Sequence, residues 1–404
     1  MTDRPEVRFL DRTTPPHIGT LILLAGISAL CMNVFLPSLP GMAVYFDADY
    51  SLMQLSVAVY LAVNAVLQII VGPISDKMGR RPVILWGVGL FLLATLGCIY
   101  APNAQVFLAF RMAQAVVVAA MVLSRAVVRD IAPAAQAAAL IGYVTMGMSI
   151  VPMIGPMIGG FLDSTFDWRA SFWMLFILGL AILILTWFDL GETSRKSGLS
   201  LTQQFREFPE LLTSPRFWGY SLASGLSSGA FFAYLGGAPF VATELFGLSP
   251  AMMGIYFGAP AVGYFLGNWA SGRFSVRLGV NRMVAWGCYI NAAGVAMSMV
   301  VFQMGFGTAE SFFGFMTLVG IGNGMSIPNA TAGALSVRPH LAGTASGLSG
   351  SIMLGGGAAL SALAGALLTP GSGAYPLLWI MLATSAAAIG AITYVVWRER
   401  RLGL

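Results

Sequence analysis

Charge is scarce in this chain. Of its 404 residues only 9% are Asp, Glu, Lys or Arg, while 57% are hydrophobic. A soluble globular domain carries about 25% charged residues, so the composition excludes an ordinary soluble fold. Lysine is rarer still: Lys77 and Lys196 stand alone, and neither follows a phosphate-cradling glycine loop. ATP hydrolysis by this chain is therefore excluded. The three cysteines, Cys31, Cys98 and Cys288, fall singly within apolar runs and make no metal or redox spacing. They read as apolar filler. His17 and His340 are isolated, at helix ends. An intramembrane enzyme would need an HExxH pair or two membrane carboxylates, and neither is present. No ring of pore-lining residues is evident, which argues against a channel.

What is present is a series of long apolar runs. Each is near the roughly 20 residues that a bilayer-crossing helix needs. They do not alternate as barrel strands do. Lipid leaves no water for unpaired backbone, so the segments should be helices. The pattern predicts an all-α integral membrane protein with twelve helices, at 17–38, 51–71, 82–101, 104–128, 135–162, 169–189, 216–241, 250–272, 283–303, 309–336, 342–368 and 374–397. A polar connection at 191–215 divides them six and six. It separates a bundle at 1–190 from one at 216–404. The sequence therefore predicts two six-helix bundles.

Lys and Arg collect in alternate connections, and Arg169 is the lone cation of the others. By the positive-inside rule both termini are cytoplasmic. The net charge of +5 reflects this topology and implies no nucleic-acid partner. The run after His17 is too long for a signal peptide and reads as a retained first span.

Polar residues inside spans are the candidate site. Tyr60, Asn64 and Gln68 are spaced four apart, on one face of helix 2. That stripe lines a cavity or glues helices together by hydrogen bonds. Helix 4 carries Arg111 and Gln114, then Arg125 and Arg129. A guanidinium in a membrane stays protonated and needs acceptors. Arg111 either braces helices or meets a substrate, and Asn33 of helix 1 is expected at its depth. Helix 5 holds Gly155, Pro156, Gly159 and Gly160, a small-residue face for close packing. The connection 72–81, GPISDKMGRR, echoes 272–281, GRFSVRLGVN, exactly 200 residues later. Matching glycines at 72/272 and 79/279 point to duplication, and two such halves suit a rocking-bundle transporter.

These motifs resemble those of the major facilitator superfamily. Gly72, Asp76, Gly79, Arg80 and Arg81 match its motif A, Arg111 to Gln114 its motif B, and Gly155-Pro156 with Gly159-Gly160 its helix-5 antiporter motif. LPSLP at 36–40, Arg129-Asp130 and the small-residue start of helix 11 resemble the Bcr/CflA drug-exporter branch. The resemblance covers essentially the whole chain. It implies an alternating-access exporter of small, largely apolar compounds in a bacterial inner membrane. It implies a functional monomer without cofactor, driven by proton antiport. It further implies that Asp76 helps hold the bundles closed on the cytoplasmic side, where a carboxylate can pair with Arg125 or Arg129 and sit at the positive N-terminus of helix 11 in the other half; the alternative is that these charges only set topology and cap helices. One departure concerns coupling: Asn33 stands where that branch commonly has Asp, and it cannot titrate. The second reading is a transporter of one organic anion or metabolite, not coupled to protons.

Overall fold

The computed structural model describes residues 7–132, 140, 144, 151, 154–194, 209–338, 341–369 and 371–403. Among the described residues the chain is helical and has no strand. Span 1 runs Ile18–Tyr45, span 2 Tyr50–Met78, span 3 Arg80–Ile99 and span 4 Ala104–Ile131. Residues 154–165 are the helical part of span 5; most of the predicted helix over 135–162 lies outside the described residues. Span 6 is Arg169–Asp189 and span 7 Pro215–Glu244. Span 8 is Pro250–Tyr256 followed by Gly258–Leu278. Spans 9 to 12 are Val280–Gln303, Ala309–Ser336, Ala342–Leu367 and Tyr375–Leu402.

Three expectations are corrected. The first span does not end at residue 38. It breaks after Asn33, passes through a 3-10 turn at Leu36–Ser38 and resumes as Leu39–Tyr45. Pro37 and Pro40 have no N–H to continue the ladder, which accounts for the break. Second, residues 72–78 are the last two turns of span 2, with Pro73 inside the helix. The connection shrinks to Gly79 alone, at φ 105°. An L residue is strained there, and a Cβ would also strike the Glu192 carboxylate. Its repeat, Gly279, makes the same stop at φ 82°. Third, span 8 is interrupted near Gly258 and Pro260, which disfavour a continuous ladder.

The same device holds each bundle at the end near the chain termini, its inner end. Asp189 closes span 6 and is fully buried. Its carboxylate accepts the backbone N–H groups of Leu10 and His17, each at 2.9 Å, and the Thr20 hydroxyl at 2.7 Å. Glu399 closes span 12 and accepts Arg216 at 2.6 Å, the Tyr220 hydroxyl at 2.9 Å and Asn281 at 2.5 Å. An acid on the last span thus ties down the first span in both halves.

Packing differs between the two sides of the molecule. The buried apolar residues of the C-terminal bundle's outer half, including Tyr234, Phe257, Phe312 and Leu377, merge with the N-terminal bundle's core. Its inner half, around Phe217, Tyr220, Cys288 and Val395, forms a separate core. Span 2 against span 11 and span 5 against span 8 carry the outer seal. Tyr50 donates to the Gly236 carbonyl at 2.8 Å. Gln54 donates to Ser361 O at 2.5 Å and to its hydroxyl at 2.7 Å. Deeper in, Ser351 donates to Ala65 O at 2.8 Å.

Candidate functional site

Span 4 carries Arg111 on its buried face, and the side chain has no solvent exposure. Nη1 donates to the Cys31 sulfur at 3.0 Å and to Gln114 Oε1 at 2.8 Å. Nη2 donates to Cys31 O at 3.0 Å, and Nε to Ser56 O at 3.4 Å. Four of its five N–H donors are thereby used, on spans 1, 2 and 4. Phe35 and Tyr60 sandwich the guanidinium carbon, with ring centroids at 4.3 and 4.0 Å. Ring faces attract a desolvated cation. Every acceptor it bonds is neutral. Gln114 passes the network to Thr95 at 2.8 Å, which donates to Phe91 O at 2.7 Å.

Asn33 is not drawn into this network. Its amide donates to Ala29 O at 2.8 Å, and Oδ1 is buried without a partner. Its Cβ faces Gly155 of span 5. The expected place beside Arg111 is taken by Cys31, two residues earlier and therefore on another helix face. Cys31, read as filler, is the principal span-1 ligand of the cation. An isolated cysteine in an apolar run gives no sequence signal of that role.

The span-2 stripe divides along its length. Tyr60 lies against Arg111. Asn64 Oδ1 is buried without a hydrogen-bond partner, while the Tyr60 hydroxyl lies beside the side chains of Cys31 and Asn64. Gln68 sits against Gly350 of span 11, facing the other bundle. Gln54, one turn and a half before Tyr60, was not singled out in the sequence, although it is the stripe residue that clasps the opposite bundle.

The span-5 glycines have two faces. Gly155 and Gly159 receive span 1; a Cβ at Gly159 would overlap the Val34 carbonyl. Gly160 receives the Pro250 carbonyl of span 8, and Gly254 of span 8 in turn receives Pro156. Ser164 accepts the Ala251 N–H at 3.1 Å. Glycine here allows backbone contact between bundles.

At the inner end Asp76 of span 2 pairs with Arg80, the first residue of span 3, at 2.5 Å. Arg80 also reaches Asp130 at 3.1 Å and the Ser75 hydroxyl. Arg81 donates to Leu190 O at 2.8 Å and Trp187 O at 3.1 Å. The motif therefore ties spans 2, 3, 4 and 6 of one bundle together. Neither Arg125 nor Arg129 forms the expected pair with Asp76: Arg125 lies within electrostatic reach of Tyr264 on span 8, and Arg129 is exposed. Gly72 lies within span 2 with open space around it.

The C-terminal bundle holds a neutral counterpart of the Arg111 network, which the sequence did not announce. Asn291 donates to Asn323 at 3.1 Å and to Ser227 O at 3.1 Å. Ser227 bonds Asn323 at 2.9 Å and Ser326 at 2.8 Å. Ser385 donates to Asn291 at 3.2 Å. Spans 7, 9, 10 and 12 meet in this cluster.

Comparison with known proteins agrees with this architecture. The chain is 31% identical to YdgK, an MFS-type transporter of Bacillus subtilis (strain 168), over 94% of this chain and 95% of that one. It is 30% identical to multidrug resistance protein D of Escherichia coli (strain K12), over 90% and 91%. Its fold matches a bacterial homologue of the human lysosomal transporter Spinster, in an inward-facing and occupied conformation. That match has a TM-score of 0.73 at 18% identity, covering 95% and 96% of the two chains. The family model described as Major Facilitator Superfamily matches residues 21–362, and the chain belongs to that family, whose two six-helix bundles it has.

Proposed function

We propose that this protein exports small, uncharged and largely apolar compounds across the bacterial inner membrane by alternating access. Both termini would be cytoplasmic, and the bundles at 1–190 and 216–404 would rock as units on the connection at 191–215. The protein would act as a monomer and perform no chemistry on its cargo. The relative named for multidrug resistance supports the drug-efflux reading.

The observation that carries the choice of substrate is the saturation of Arg111. Its donors are used by Cys31, Gln114 and Ser56, so little remains for an anionic cargo. The polar atoms nearby are Asn64 Oδ1, which has no partner, and the Tyr60 hydroxyl beside Cys31 and Asn64, both neutral. They suit a compound with a few hydrogen-bonding groups on an apolar body. This favours neutral drugs over the organic-anion reading.

The continuous outer core and the separate inner one support a resting state that is sealed outside and faces inward. In that state Asp76 would hold Arg80, and on inward closure it would turn to the positive N-terminus of span 11. Proton antiport is the proposed drive. The test is a susceptibility panel in an efflux-deficient host, followed by transport in vesicles under imposed pH and voltage gradients. Resistance to neutral compounds, with uptake into inverted vesicles that collapses with the pH gradient, supports the reading. Uptake of anions alone, insensitive to pH, refutes it.

A further inference from the structure

Spans 7 and 12 leave a lipid-facing groove of about 480 Å³ at their inner ends. Leu212, Pro215, Trp218, Leu222 and Tyr394 line it. Trp218 is fixed by an Nε1–H donated to Leu212 O at 2.7 Å. The wall of the groove therefore includes the end of the connection between the bundles. Ala391 and Tyr394 belong to the face of span 12 that continues to Arg398, four residues after Tyr394, and to Arg401, three residues after Arg398. Arg401 lies over the Trp397 ring at 4.2 Å, and Trp397 is 5.9 Å from Tyr394.

Charge at this end is uncompensated. Glu399, the acid of that turn, is already held by Arg216, Tyr220 and Asn281. Among the described residues Arg398, Arg400 and Arg401 meet no carboxylate. An apolar trough flanked by aromatic rings thus opens below unpaired guanidinium groups. Along span 12 the distance from Ala391, in the trough, to Arg401, beyond its inner end, is about 15 Å at 1.5 Å per residue. That equals half of the roughly 30 Å hydrocarbon core, the depth of one leaflet.

We propose that this groove is a site for an anionic phospholipid of the cytoplasmic leaflet. One acyl chain lies along Trp218, Leu222 and Tyr394, and the phosphate is held by Arg398 and Arg401. Charge complementarity selects the occupant: a zwitterionic lipid fills the trough equally well but leaves the arginines without a net counter-charge. Because Leu212 and Pro215 form one wall, occupancy couples lipid to the start of span 7. The proposal rests on the membrane reading of spans 7 and 12 and is independent of which cargo is exported.

Native mass spectrometry of the full-length protein, titrated with phosphatidylglycerol and with phosphatidylcholine of the same chains, tests it. Phosphatidylglycerol should remain bound at activation energies that strip phosphatidylcholine, and should raise the melting temperature. Arg398→Ala with Arg401→Ala should weaken phosphatidylglycerol binding roughly thirtyfold, at about 1 kcal/mol for each arginine. Arg273→Ala with Arg277→Ala, at the inner end of span 8, should leave it unchanged and controls for general basicity. Trp218→Ala should shorten retention of the lipid while the salt dependence persists. Equal retention of the two lipids, or unchanged phosphatidylglycerol affinity in the Arg398/Arg401 variant, overturns the site. Competition by inorganic phosphate at millimolar concentration also overturns it, since the arginines would then bind a free anion.

Discussion

A guanidinium buried among neutral groups keeps its charge, because its intrinsic basicity exceeds any ordinary desolvation penalty. Arg111 must then be satisfied in place, and Cys31, Ser56, Gln114 and two ring faces do so. Replacing it should remove the bond between spans 1, 2 and 4. We expect Arg111→Ala to lower transport at least tenfold at normal protein level. Arg111→Lys should not restore it, because an ammonium cannot reach the Cys31 and Ser56 acceptors in one plane or stack between Phe35 and Tyr60. Cys31→Ala should be milder, costing about 1–2 kcal/mol for a lost acceptor of a charged donor, read as a lower melting temperature. Normal transport by Arg111→Ala would remove Arg111 from the account.

Asn33 is the residue at which coupling can be tested. Its Oδ1 has no partner, and its Cβ lies against Gly155 of span 5. Asn33→Asp adds a titratable group at the contact between span 1 and Gly155. A carboxylate there would be costly when charged and unpaired, so it should take up a proton within the cycle. Transport should become more dependent on the pH gradient than in the wild type. An unchanged pH profile would mean that this position does not communicate with the coupling step.

At the scale of elements, two interfaces oppose each other. Gln54 clasps spans 7 and 11 on the outer side, while Asp76 at the inner end pairs with Arg80 in its own bundle. Gln54→Leu should weaken the outer seal and populate the outward-open state. Asp76→Asn should weaken inner closure and raise cytoplasmic accessibility. A change in either direction comes from differential stability of the two states. The two single variants should therefore shift thiol accessibility in opposite senses, and the double variant should fall between them. Shifts in the same sense would show that one of these contacts is not a gate.

The elements also show what could be read from residues alone. Apolar length sufficed for an all-helical fold with several spans, because it is a local property. The break at Pro37 and Pro40 was marked by proline, yet the span continues beyond it: the outer aromatic contacts of Tyr45 and Phe46 with Trp168 hold a short second helix. The motif at 72–81 looked like a loop because it is polar. Its first seven residues are helical, and Gly79 alone supplies the reversal that brings Arg80 of span 3 back onto Asp76 of span 2. Cys31, Gln54, Asp189 and Glu399 carried no recognisable pattern. Their roles arise from partners on other spans, which sequence spacing does not encode.

The whole molecule is a pair of bundles joined on the outer side and separately packed on the inner side. Its charge is arranged for a membrane: Lys77 is exposed at the inner end of span 2, and Arg169 is held at the outer surface by Asp167, Tyr45 and Ile99. A cysteine at Lys77 should react with an impermeant thiol reagent in inverted vesicles but not in intact cells. One at Gly305 should show the opposite pattern. Labelling of both from one side would contradict the topology.

The central claim is that the two sides open alternately, and distances between spin labels test it most directly. One pair would join Asp49 of the N-terminal half to Leu245 of the C-terminal half, at the outer surface. The other would join Arg129 to Arg277, at the inner surface. All four positions are exposed. On introducing Gln54→Leu the outer distance should lengthen and the inner distance shorten, with two populations visible in each. Distances that stay fixed at both ends, or that lengthen together, would contradict alternating access in this protein.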